Sequence, residues 1–168
     1  MKHLEKGNLF CAETSLGPWT ALVISDERYI NEIIINPDRR FNPGMKNFSR
    51  EMVPPLLSAL EYFKNYFLHK RAAIPSLDLS SFTESERRVY KTLCALPYGR
   101  TISYGELALE AGFPRAARFV GSTMRKNRFP VIIPCHRVLP ANGATGKYSA
   151  GAGEEVKQWL LDFEKDFM

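Results

Sequence analysis

Between Thr83 and Lys126 the chain carries three sets of helix punctuation in 44 residues, which confines this stretch to short helices joined by tight turns. Thr83-Glu84-Ser85-Glu86 is a capping-box signature, a threonine followed three residues later by a glutamate. Val89, Leu93 and Leu96 then supply a buried stripe, and Pro97-Tyr98-Gly99 ends the helix. Ser103 is placed to cap a second helix, Tyr104–Ala111, which Gly112 stops. Pro114 stands at the start of a third, expected over Arg115–Lys126. Two short helices joined by a glycine-containing turn, the second of them basic, form the pattern of a helix-turn-helix, so binding to DNA enters as a function class.

The rest of the chain reads differently. Asn8–Thr14, Trp19–Ser25 and Tyr29–Asn36 are short runs of strand-type residues separated by Ser15-Leu16-Gly17-Pro18 and Asp26-Glu27-Arg28. They predict a small antiparallel sheet. A polar loop with Pro37 and Pro43 follows, and Pro54-Pro55 opens a helix whose Leu56, Leu57, Leu60, Phe63, Phe67 and Leu68 recur at helical spacing to about His69. Residues 72–81 read as a connector. Val131-Ile132-Ile133 is expected to be a short buried strand. Turn residues run from Asn142-Gly143 to Gly153, and a final helix over Glu154–Asp166 places Val156, Trp159, Leu160 and Phe163 on one face. A length of 168 residues suits one domain or two small ones.

Charge is uneven. The chain has 23 Lys+Arg against 18 Asp+Glu, and residues 82–168 hold 13 and 9 of these. From Phe113 to Arg137 there are six positive residues (Arg115, Arg118, Arg125, Lys126, Arg128, Arg137) and no acidic one, either a footprint for an anionic polymer or a solvated basic face. No apolar run approaches a membrane span, and the charged start Met1–Gly7 leads into no apolar segment of a secretory signal. The three cysteines, Cys11, Cys94 and Cys135, have unrelated spacings and form no C-x-x-C, so a reduced protein of the cytoplasm is expected.

Pro134-Cys135-His136-Arg137-Val138 holds the most chemistry. A cysteine is a nucleophile only as thiolate, and a histidine can take its proton, directly or through water, when a third group orients the ring. The bland reading is an inert buried cysteine beside a surface histidine, and the residues alone leave both open. A zinc deaminase site would need a second cysteine three residues after Cys135, where Val138 stands. Cys11 and Cys94 read as small core residues, and His3 and His69 as surface residues.

Further blocks surround that pentapeptide: Pro97-Tyr98-Gly99, Ser103-Tyr104-Gly105-Glu106-Leu107-Ala108, Pro114-Arg115-Ala116-Ala117-Arg118, Val120-Gly121, Met124-Arg125, Asn127, Ile133, Tyr148-Ser149, and Trp159-Leu160-Leu161 followed by Glu164. With these blocks in this order, across Phe82–Glu164, the chain resembles the O6-alkylguanine-DNA alkyltransferases, or methylated-DNA–protein-cysteine methyltransferases. The N-terminal half matches only in outline. The resemblance implies an α/β (α+β) protein. Its lobe at 1–78 would be a small antiparallel sheet plus helix of ribonuclease-H-like type. Its lobe at 79–168 would be mostly helical and winged-helix-like, with the helix-turn-helix.

It also implies roles. Cys135 accepts the alkyl group from guanine O6, and from thymine O4 in some settings. His136 is its base through water, and Glu164 orients His136. Tyr104 donates to the departing base. Ser149 and Tyr148 form a pocket wall, the Cys135 and Val138 carbonyls accept the guanine amino group, and Asn127 braces the turn, with Arg137 structural. Arg118 enters the duplex where the nucleotide has left, with Ala116 and Ala117 permitting close approach, and Arg115, Ser103 and Tyr104 meeting the backbone. The partner is duplex DNA carrying O6-alkylguanine, bound through the minor groove with little sequence specificity by a monomer, without a cofactor, membrane or metal. Some family members hold a structural zinc in the N-terminal half, but His3, Cys11 and His69 have unmatched spacings. The segment Tyr148–Gly153 runs about two residues longer than the family pattern, which bears on the width of the pocket. The competing classes are a non-catalytic lesion binder or helix-turn-helix regulator, which needs no Cys135, and a thiol hydrolase, which needs no basic helix.

Overall fold

Three consecutive strands with two tight connections build the first sheet, and the computed structural model describes residues 8–36, 48–70, 72–146 and 153–165. Strand β1 (Leu9–Leu16) pairs antiparallel with β2 (Trp19–Ser25), and β2 pairs antiparallel with β3 (Ile30–Ile35). The β1–β2 turn is two residues, with Gly17 at φ 58, so β1 runs two residues past the expected end at Thr14. A short β4 (Phe48–Ser49) adds parallel to β1, giving the order β3-β2-β1-β4. The sheet is therefore mixed and not purely antiparallel; two residues are too few to show any period.

Helix α1 (Pro54–Phe67) packs against β1, β2 and β3 and buries Leu56, Ala59, Phe63 and Tyr66. It starts on two prolines, whose missing N–H groups cost nothing in a first turn. It ends at Phe67, before the expected His69, which sits in the left-handed region at φ 53. Cys11, Leu22 and Ile24 form a buried cluster with Ile34 and Phe48 against it. These elements belong to a compact unit spanning Met1–Ser81.

A second unit spans Phe82–Met168. Its helices are α2 (Glu84–Cys94), α3 (Tyr104–Glu110), α4 (Ala117–Arg125) and α5 (Gly153–Lys165). Strands β5 (Ile102–Ser103) and β6 (Val138–Leu139) pair in parallel, and a single 3-10 turn covers Cys135–Arg137. Both expected caps are present. Thr83 Oγ1 accepts from the Glu86 N–H at 3.3 Å while Glu86 Oε2 accepts from the Thr83 N–H at 2.9 Å. Ser103 and Glu106 repeat the arrangement on α3 at 3.2 and 2.8 Å. Val89, Tyr90, Leu93, Leu107, Val120, Phe129 and Leu160 form the centre of this unit. No helix among the described residues is long and apolar enough to cross a membrane.

Three expectations are corrected here. The fourth helix begins at Ala117 and not at Arg115, because Arg115 takes φ 65, a left-handed conformation that cannot continue into a right-handed helix. Val131-Ile132-Ile133 is buried but is a turn and not a strand; Val131 has φ 72 and the Ile133 N–H donates to the Phe129 carbonyl at 2.8 Å. On α5 the buried stripe is Val156, Lys157, Leu160, Leu161 and Glu164, while Trp159 and Phe163 stack on each other, half-exposed, with centroids 5.1 Å apart.

Thr83→Ala removes one half of the α2 capping box, for which the expected loss is about 1 kcal/mol. Urea titration of the whole chain reads it, and an unchanged midpoint would show that the cap contributes nothing to the unit.

Candidate active site

The backbone leaves α4 at Lys126 and folds the next ten residues around one side chain, the Asn127 amide. Its Oδ1 accepts from the Phe129 N–H at 2.9 Å, so its Nδ2 must be the donor to the Ile133 carbonyl at 2.9 Å and to Cys135 Sγ at 3.1 Å. Val131, a β-branched residue in the left-handed region, is held inside this loop at a conformational cost of about 1–3 kcal/mol. The Cys135 N–H donates to the Ile133 carbonyl at 2.8 Å, and Cys135 is only 7% exposed. The Asn127 amide thus gives the sulfur one N–H donor, and a cysteine attacks carbon as the thiolate.

Next in the chain, His136 and Arg137 both turn inward onto one carboxylate. Glu164 Oε1 lies 2.7 Å from His136 Nε2 and accepts from Arg137 Nη2 at 3.0 Å. Its Oε2 accepts from Arg137 Nε at 2.8 Å and from the Gly99 N–H at 3.2 Å. Arg137 Nη1 donates to the Leu96 carbonyl at 3.1 Å. Burial alone would raise the Glu164 carboxyl, but the hydrogen bonds and charge of His136 and Arg137 outweigh it and hold the group down at about 2. His136 is wholly buried, and that burial keeps its pKa below the ordinary histidine range despite Glu164. The ring is therefore neutral near pH 7, with its proton on Nε2 facing the carboxylate. Nδ1 is left as a buried acceptor with no hydrogen bond among the described residues.

Tyr104 begins α3 and lays its ring over Gly121 of α4, where an added Cβ would stand 3.9 Å from Cδ1 and Cε1. Burial and the neighbouring Cys135 raise its phenol, which stays a donor. The other thiols differ: burial pushes Cys94 up to about 11 and raises Cys11 as well. Val138 is buried, and its carbonyl already accepts from Lys157 Nζ at 2.9 Å. Lys157 is a buried cation that burial shifts downward, and it belongs to this site although no motif marked it. Its one signal in the sequence is position, since Lys157, Leu161 and Glu164 fall on a single helical stripe. Tyr148 and Ser149, the expected pocket wall, lie outside the described residues.

The basic stretch separates into two groups. Arg137 is spent on Glu164, Lys126 on the buried Glu86, and Arg128 lies over the Phe82 and Phe129 rings. Arg115, Arg118 and Arg125 stand exposed, and Ala116 and Ala117 are half-buried at the start of α4. Ser103 is engaged as the α3 cap. Among the described residues no group of three His, Cys, Asp or Glu side chains could hold a metal ion.

The chain is similar to known proteins in sequence and in fold. Residues 84–166 match the family model of the 6-O-methylguanine DNA methyltransferase DNA-binding domain. A constitutive methylated-DNA–protein-cysteine methyltransferase of Bacillus subtilis is 32% identical over 157 residues, covering 92% of this chain and 93% of that protein. The mouse protein of that name is 41% identical over 122 residues, and the match spans 57% of its length. The match to the rat protein spans 58% and that to the Chinese hamster protein 62%, so less than two thirds of these longer relatives is covered. The crystal structure of Mycobacterium tuberculosis O6-methylguanine methyltransferase superposes with a TM-score of 0.78 at 28% identity, over 95% of this chain and 94% of that one. A structure of that protein in complex with DNA superposes at 0.73, also at 28% identity and over 95% and 93% of the two chains. The mixed α/β architecture is thus shared over nearly the whole length, and the chain belongs to the methylated-DNA–protein-cysteine methyltransferase family.

Proposed function

We propose that this protein reverses alkylation of guanine O6 in duplex DNA by moving the alkyl group onto Cys135, once per molecule. The observation that carries this reading is the sulfur of Cys135, pointed at by a locked asparagine N–H, beside a buried histidine–carboxylate pair in a family of DNA methyl acceptors. His136 Nδ1 takes the thiol proton through a water, and Glu164 holds the ring in the tautomer that makes this possible. Sγ attacks the alkyl carbon, the carbon–O6 bond breaks, and the bonding electrons leave on guanine. Tyr104 supplies a proton to the departing base, which restores neutral guanine, and the thiol proton held by His136 returns to the phenolate. Ser149 and Tyr148 close the pocket, and the Cys135 and Val138 carbonyls read the guanine amino group. The product is a thioether. A thioether is not hydrolysed at neutral pH, so the chain reacts once.

A stacked base cannot reach a buried sulfur, and flipping it out costs a few kcal/mol. Arg118, exposed on the first turn of α4, fills the gap left in the stack. Ala116 and Ala117 keep the helix start thin enough for a minor groove only about 6 Å wide. Arg115, held exposed in a strained conformation with no burial to reward it, meets phosphate. Contacts of this kind give little sequence preference and fall with salt. We read the unit from about residue 79 onward as the winged-helix-like, DNA-binding and acceptor lobe. The unit before it is read as ribonuclease-H-like, and the protein as a cytoplasmic monomer.

Intact-mass measurement after incubation with O6-methylguanine DNA tests the reaction. One methylene unit of added mass per chain, located on the Cys135 peptide, is expected, together with its loss in Cys135→Ser that still binds DNA; a folded protein of unchanged mass would refute transfer. Arg118→Ala should slow repair in duplex DNA by roughly tenfold or more, the equivalent of about 1.4 kcal/mol of lost flipping assistance, and leave reaction with a free O6-alkylguanine base nearly unaltered. Equal losses on both substrates would remove Arg118 from the flipping step.

Stability should carry the signature of the buried pair. The pKa of Glu164 is depressed in the fold, so its stabilisation is complete above the ordinary carboxylate range and is lost as pH falls toward about 2. That of His136 is also lowered, so below about 6.5 the unfolded chain takes up a proton that the fold refuses, again destabilising toward acid. Thermal melts from pH 7 to 4 should show a Tm that falls through His136, and below the ordinary carboxylate range, toward about pH 2, the further fall should be shallower in Glu164→Gln. Parallel slopes in the two proteins would contradict the ionised, buried Glu164.

A further inference from the structure

Arg88 lies on α2, outside the motifs that mark the site, yet its side chain is built into the turn between α3 and α4. Its guanidinium carbon stands 5.4 Å from the centroid of the Phe113 ring, and a Cβ on Gly112 would collide with its Nη2. Phe113 in turn meets Phe119 of α4 edge-on, with centroids 5.6 Å apart and planes at 73°. Gly112, at φ 80, leaves the space the guanidinium fills. A surface arginine ordinarily samples many rotamers; this one is fixed by two contacts to the same turn, and through Phe119 to the helix that bears Arg118.

Neither contact offers an acceptor to the guanidinium, whose five N–H donors lie in one plane. Among the described residues these donors make no hydrogen bond, and Glu84, one helical turn earlier, forms no ion pair with Arg88. Arg88 is exposed, and the neighbouring turn carries exposed Arg115 two residues beyond Phe113. A fixed, planar, unpaired fork matches the paired oxygens of a phosphodiester, and fixing it in advance lowers the entropy lost on binding.

We propose that Arg88 is a phosphate-binding residue, a preorganised clamp on the DNA backbone that extends the interface from α4 onto α2. The proposal rests on the reading of the chain as a DNA-repair alkyl acceptor and adds a contact that the helix-turn-helix motif does not contain.

The experiment is equilibrium binding of the full chain to an undamaged duplex at several salt concentrations, for wild type, Arg88→Gln, Arg88→Lys and Arg28→Gln. It is paired with the rate of alkyl transfer from a free O6-alkylguanine base. In Arg88→Gln the slope of log affinity against log salt should shrink by about 0.9, one phosphate contact, while transfer from the free base stays at the wild-type rate. Arg88→Lys should restore the slope but recover only part of the affinity, because a point charge replaces the fork. Arg28→Gln, an equal loss of net charge at an exposed position in the other unit, should leave slope and affinity unchanged. The proposal is overturned by an unchanged slope in Arg88→Gln, by an equal change in Arg28→Gln, or by loss of free-base transfer in Arg88→Gln, which would make Arg88 a support of the catalytic turn. Failure of the wild type itself to bind duplex or to accept an alkyl group would instead overturn the underlying reading, and would be seen in the control before any variant is compared.

Discussion

A single buried carboxylate, Glu164, determines where the reactive turn can be. An isolated charge in the interior costs several kcal/mol, so Glu164 is tolerable only while the donors around it are in place. Those donors come from three residues in two parts of the chain: the ring of His136 and the fork of Arg137 in one turn, and the backbone N–H of Gly99. Docking α5 therefore tightens the 3-10 turn at Cys135–Arg137, and loosening either one strands a charge. A lysine at 137 could not replace the arginine, because one ammonium cannot meet both carboxylate oxygens and the Leu96 carbonyl in a plane. The same four donors leave Glu164 no reason to take a proton, so His136 is oriented by a permanent anion without being ionised by it.

The segment from α4 to Cys135 joins two kinds of chemistry that require opposite surroundings. Arg118 is exposed to water and Cys135 is nearly enclosed; nothing but the end of α4 and one loop separates them in sequence. Asn127 is the joint. It is two residues past the last turn of α4, and its amide binds the sulfur directly. A displacement of α4 against DNA would therefore reach the nucleophile through a single side chain with all its polar atoms committed. Lys126 reinforces that joint from the other side by pairing with Glu86, whose carboxylate also closes the α2 capping box.

Local signals were readable and distant ones were not. The capping boxes at Thr83 and Ser103 depend on residues three apart, and both appear where the pattern requires them. Cys135, His136 and Glu164 were legible because a resemblance named them together; spacing alone would never have joined positions 28 residues apart. What escaped was whatever depends on a tertiary partner. Arg115 looks like a helical residue until its left-handed conformation is seen, and Val131–Ile133 looks like a strand until Asn127 is found holding it as a turn. Six positive residues between Phe113 and Arg137 look like one footprint, yet half of them are spent on Glu164, Glu86 and aromatic rings. Lys157 could be suspected only from its place on an apolar stripe, since nothing nearby in sequence explains a buried ammonium.

The burial of Cys135 fits a reaction without turnover better than a cycle. A thiol hydrolase must admit water or a second substrate to free its sulfur, and must let product out, so its nucleophile sits in an open cleft. Here the sulfur is nearly enclosed, its neighbour Asn127 is locked, and the only other thiol in the same unit, Cys94, is pushed far from thiolate by burial. A thioether formed in such a place has no route back. Once release of the sulfur is not required, the pocket can be tight, and the carboxylate, arginine and histidine that shape it can be fixed rather than mobile. Under the proposed alkyl transfer, the cost moves to the protein itself, one chain per alkyl group.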